Sequence, residues 1–109
     1  MVNKDKLNKA EEKLTFAEFL TRAGHSDSYS VAAVKHVTSA STLAVQALTD
    51  TSVDSPRAMQ LALLKFEEPE AKLFAKKFMT SLREGSDRVS VKLALREVRE
   101  FVNWIKTLQ

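Results

Sequence analysis

Residues 28–49 read SYSVAAVKHVTSASTLAVQALT and hold one formally charged side chain, Lys35. A run this poor in charge does not line a surface along its whole length, so most of it must be buried. Its apolar positions fall on two seams. Ala33, Val37, Ala40, Ala44 and Ala47 follow a 4-3-4-3 spacing. Val31, Val34, Thr38, Ser41, Val45 and Leu48 alternate threes and fours in the same way. At about 100° per residue the two seams lie about 130° apart around a helix. A helix with two seams has neighbours on two sides. The stretch is therefore predicted to be the central helix of a bundle.

A chain of 109 residues points to one domain over residues 1–109, long enough for its own core. Hydrophobic residues at 44% and charged residues at 28% are globular values, not disordered ones. Two glycines and two prolines are too few for the turns of an all-β fold. The abundant Ala, Leu, Lys and Glu favour helix instead. The absence of cysteine excludes disulfides, thiolate metal sites and cysteine nucleophiles, and suits an intracellular protein. The opening MVNKDKLNKAEEK is charged throughout and has no signal-peptide core. No apolar run approaches the ~20 residues of a membrane span. The expectation is a cytoplasmic protein with no membrane contact.

The chain then reads as a succession of helices. Leu7, Ala10, Leu14 and Ala17 form the seam of a first helix from about Lys4 to Ala23, widened by Phe16, Phe19, Leu20 and Ala23. Glu18 and Arg22 stand four apart in the favoured order for an ion pair. Gly24 closes this helix, and Ser26 or Asp27 caps the next. So short a link makes the first two helices antiparallel neighbours. After a loop at residues 49–55, Ser55-Pro56 opens a short apolar third helix. Glu67-Glu68-Pro69 ends it. The fourth helix covers about residues 69–84, with Ala71, Phe74, Ala75, Phe78, Met79 and Leu82 inward. Gly85 follows as its closing residue, and Ser86, Asp87 and Ser90 are cap candidates for the fifth. That helix, about residues 88–108, has the most regular face: Val91, Ala94, Leu95, Val98, Phe101, Val102, Ile105 and Leu108.

Candidate chemistry is sparse. His25 and His36 lack the spacing of a helical metal site, and His36 belongs to a polar strip. The strip comprises Lys35, His36, Ser39, Thr42 and Gln46. It is nearly uncharged, so it reads either as solvated or as an interface with a second subunit. The net charge of +3 is unevenly distributed: residues 1–68 carry −1 and residues 69–109 carry +4. Lys92, Arg96, Arg99 and Lys106 form a basic strip on the fifth helix, and Lys72, Lys76, Lys77 and Arg83 line the fourth. Together these are the candidate contacts for RNA phosphates, the alternative being an ordinary solvated face. Trp104, beside the strip, is read either as a cover for the core edge or as a dimer anchor. No residues suggest a metal or cofactor site, and none forms a catalytic constellation.

The pair LNKAEEKLTFAEFLTRAG and SYSVAAVKHVTSASTLAVQAL resembles the opening helices of HEPN-domain proteins. FAKKFMTSLREG and KLALREVREFVNWIKTL are similar to the closing helices of that family. The resemblance implies an antiparallel up-down four-helix bundle with one additional short helix. In that family an arginine followed by a histidine after four to six residues carries metal-independent RNase activity across a dimer interface. Here no histidine follows Arg83 or Arg88, His25 is too close to Arg22, and no arginine stands at that distance before His36. No catalytic residues are carried over. The resemblance then implies a non-catalytic binding or accessory protein, partnering a nucleotidyltransferase, and the polar strip of the second helix adds the expectation of a homodimer formed partly through that helix. The alternative, from the basic strips, is a small RNA-binding subunit of a ribonucleoprotein. A degenerate RNase ranks last.

Overall fold

The computed structural model describes residues 2–23, 27–49, 56–65, 68–83 and 88–108. Among these residues every regular element is a helix: α1 (Lys4–Ala23), α2 (Asp27–Thr49), α3 (Pro56–Lys65), α4 (Pro69–Arg83) and α5 (Arg88–Thr107). The expected turn residues Gly24, His25, Ser26, Gly85, Ser86 and Asp87 lie outside the described set, as does the loop at residues 50–55. So do the expected core side chains of Ala23, Ala75, Phe78, Met79 and Leu82. Asp27 is the first residue of α2, and Pro56 and Pro69 each stand first in their helices, where a missing N–H is no loss.

α1 begins at a cap formed by Asn3. The Asn3 carboxamide oxygen accepts the backbone N–H of Lys6 at 3.2 Å, meeting one of the donors a helix start leaves open. The backbone N–H of Asn3 donates to the carbonyl of Ala47 at 2.9 Å. The start of α1 is thereby fastened to the end of α2. Farther along, Lys6 Nζ donates to Gln46 Oε1 at 3.2 Å, and the Phe16 ring meets His36. Ten residues forward on α1 match ten back on α2, so the pair is antiparallel. Ala10 and Ala17 on α1, and Ala33, Ala40, Ala44 and Ala47 on α2, are wholly buried. These small side chains let the two backbones come close.

α2 packs on α1, α3 and α5, as expected for a central helix. α5 in turn packs on α1, α2 and α4, and α3 bridges α2 and α4. Glu11 meets Lys106 while Glu18 meets Arg99, which sets α1 and α5 antiparallel. Val91, Val98, Phe101, Val102 and Ile105 place the α5 face in the core. Ser41 is buried too, and its hydroxyl donates to the Thr38 carbonyl at 2.7 Å, so no unpaired polar group is left there. The radius of gyration is 13.0 Å, near the ~13 Å of a compact domain of this length.

Some expected core positions are not core. Phe16 and Phe19 are 49% and 62% exposed. Each lies two residues past a core residue, Leu14 or Ala17, and two steps of about 100° turn it nearly to the opposite side of the helix. Val31 is exposed although Val45 and Leu48 in the same seam are buried. α3 covers α2 at the level of Thr42, well past Val31. Leu108 lies beyond the end of α5 and is exposed.

Candidate functional site

The cationic strip of α5 is partly neutralised from within the fold. Arg99 Nε donates to Glu18 Oε1 at 2.6 Å, and Lys106 Nζ to Glu11 Oε2 at 2.7 Å. Glu18 is thus occupied by α5, not by the Arg22 that its spacing suggested. Arg96 lies 4.0 Å from Glu100 on its own helix. Lys92, Lys72, Lys76 and Lys77 are exposed, and the side chain of Arg83 lies outside the described set.

Part of each basic strip lies away from the seam between α4 and α5. That seam is marked by Phe74, whose ring lies 5.8 Å from Phe101 and 5.6 Å from Trp104. On α4, Lys72 and Lys76 each stand about 160° around from Phe74. On α5, Arg99 and Lys106 stand about 140–160° around from Trp104, towards α1. Lys77 and Arg96 stand nearer the seam, about 60° around from Phe74 and about 80° around from Trp104.

The polar strip of α2 is similarly divided. His36 takes the edge of Phe16, with ring centroids 4.6 Å apart and planes at 67°. Gln46 accepts from Lys6, and the Thr42 hydroxyl reaches Met59 Sδ at 3.8 Å under α3. Lys35 and Ser39 remain exposed. α1 and α3 therefore lean over the two edges of the strip expected to meet a second subunit. Trp104 is half-buried against the core and stacks on Phe101 at 6.1 Å with planes 16° apart. It covers the core edge between α4 and α5. Among the described residues no three His, Asp or Glu side chains converge as metal ligands. No described helix is long and apolar enough to cross a membrane.

The surface that sequence reasoning misplaced is the outer face of α1. Glu11, Glu12, Thr15, Phe16 and Phe19 line an open cleft of about 400 Å³ there. The rings of Phe16 and Phe19 lie 6.3 Å apart. His36 holds Phe16 from the α2 side, while the Glu11–Lys106 pair bounds the face on the α5 side. The signal was present in the helical phase of the two phenylalanines relative to Leu14 and Ala17. What the arrangement offers is contact: two adjacent aromatic rings and a carboxylate at Glu12 on a shallow, open surface. Comparison with protein-family models, curated proteins and solved structures finds no match for this chain.

Proposed function

We propose that this chain is a non-catalytic binding or accessory module of HEPN-like, antiparallel up-down four-helix architecture, with α3 as the additional short helix, acting through protein contacts. The observation that carries the reading is the exposed aromatic face of α1. Two large apolar side chains facing water beside a cleft form a recognition surface more readily than a solubilising one. The directions of α1, α2 and α5 suit the bundle, and α3 stands between α2 and α4. The partner that the HEPN resemblance implies is a minimal nucleotidyltransferase, or a second copy of this chain.

The RNA-binding alternative is supported by the exposed Lys72, Lys76, Lys92 and Arg96, and weakened by the carboxylate partners of Arg99 and Lys106. Co-expression with a minimal nucleotidyltransferase tests the preferred reading. The two should co-purify, and Phe19→Ser should abolish the complex. Fluorescence anisotropy with a labelled single-stranded RNA tests the alternative. Steeply salt-dependent binding, lost in Lys92→Glu/Arg96→Glu, would establish the RNA reading in its place. Cleavage of that RNA by metal-free purified protein would make the chain an RNase.

A further inference from the structure

Two contacts join α1 to α2 on the side of the pair turned away from α5. Lys6 meets Gln46, and ten residues on Phe16 meets His36. In that register Lys9 falls level with Leu43, and Lys13 with Ser39. All four lie, by helical phase, within the arcs that the two contacts bound on their helices. Lys9, Lys13 and Ser39 are exposed, and Leu43 is half-buried. Lys35, also exposed, extends the α2 edge. Residues 28–49 hold no aspartate or glutamate. On α1, Asp5 and Glu12 stand across Phe16 from the two lysines. No described carboxylate forms an ion pair with Lys9, Lys13 or Lys35. The result is a cationic patch about 15 Å long with apolar contacts at Leu43 and Phe16. We propose that this patch docks an acidic amphipathic helix of about three turns from a partner protein. The inference rests on the reading of the chain as a protein-binding module and names the chemistry of its partner.

The inner side of the same helix pair already holds a helix in this way. There α5 packs on both α1 and α2. Its Arg99 and Lys106, seven apart, meet Glu18 and Glu11, seven apart on α1. Lys9 and Lys13 stand about 140–180° around α1 from those glutamates. On the outer side the signs are exchanged. Lys6 and Lys13 are seven apart, with Lys9 between them. An incoming helix with carboxylates at that spacing meets the lysines on one flank and lays its apolar stripe on Leu43 and Phe16. A second copy is a poorer occupant. Presenting the same patch, it sets lysine against lysine. Its exposed Asp5 and Glu12, also seven apart, share their helix face with Lys9. A nucleic acid is poorer too. Phe16 and His36 are engaged with each other edge to face, and Leu43 is aliphatic, so a base finds little to stack on.

The probe is a fluorescein-labelled, stapled helical peptide of about four turns, with a leucine stripe and glutamates along both flanks. Its anisotropy should rise saturably with the full chain and less steeply in added salt. Backbone amide shifts should gather at Lys9, Lys13, Ser39 and Leu43. Lys9→Glu/Lys13→Glu should weaken binding at least ~10-fold, because like charges then face each other. Lys92→Glu/Arg96→Glu makes the same change in net charge on α5 and should leave binding unaltered. All four substitutions are at exposed positions, and circular dichroism should show both variants folded. A peptide with serine in place of leucine should lose binding. The proposal is overturned by a peptide that does not bind, by equal losses in the two variants, or by a serine peptide that binds as well. Single-stranded RNA that shifts the same amides and binds more tightly would give the patch to a nucleic acid instead. Self-association of the wild type that is lost in Lys9→Glu/Lys13→Glu would give it to a second copy. The nucleotidyltransferase arm is independent. A complex that is lost in Phe19→Ser but kept in Lys9→Glu/Lys13→Glu, beside a peptide that does not bind, sinks this docking patch and leaves the module reading standing.

Discussion

Asn3 serves two helices at one junction, its side chain capping α1 and its backbone N–H meeting a carbonyl at the end of α2. Asn3→Ala removes only the cap and should cost about 1 kcal/mol in urea unfolding. Asn3→Asp, which keeps the accepting oxygen, should lose little of that. The two phenylalanines of α1 give a sharper contrast. Phe19→Ser at an exposed position should change stability by no more than about 0.5 kcal/mol. Leu14→Ala, at a wholly buried position five residues earlier, should cost about 2–5 kcal/mol. Equal costs for the two would mean that Phe19 is packed in solution. Both the cap and the phase of Phe19 were legible in the sequence. An asparagine directly precedes the helix, and Phe19 stands two residues past Ala17.

At the level of elements, the sequence discloses which face of a helix is buried far better than what it is buried against. Periodicity is local, and it placed the alanine seam of α2 and the apolar face of α5 as far as Ile105 correctly. The Glu18–Arg99 pair spans 81 positions, and no local pattern marks it; spacing favoured Arg22 instead. The same limit hid the partial neutralisation of the α5 strip by Glu11 and Glu18. A double-mutant cycle on Glu18→Gln and Arg99→Gln should give a coupling of about 0.2–1 kcal/mol. Partial burial of both side chains favours the upper part of that range, and added salt should lower it. The α1–α2 contact should respond quite differently. Ala40 is wholly buried, and Ala40→Leu forces extra volume between closely packed backbones. It should cost at least about 1–3 kcal/mol, with no dependence on salt.

Taken as a whole molecule, the chain joins two helix pairs, α1 with α2 and α4 with α5, through contacts of α5 with both α1 and α2. The core is one connected cluster that runs from Leu7 on α1 to Ile105 on α5. If that cluster is the unit of stability, neither pair keeps its buried face once the other has gone, and unfolding is two-state. Trp104, the single tryptophan, makes this testable. It stacks between α4 and α5, so its fluorescence follows that pair, whereas far-ultraviolet circular dichroism follows all the helices. The two signals should give the same urea midpoint and slope. Ala40→Leu, placed in the α1–α2 seam away from the tryptophan, should move both midpoints by the same amount. A tryptophan transition that stays put while the dichroism shifts would divide the chain into two separately stable pairs. The α5 contacts with α1 and α2 would then be docking between units, and the ion pairs of Glu11 and Glu18 would be the contacts that hold them in register.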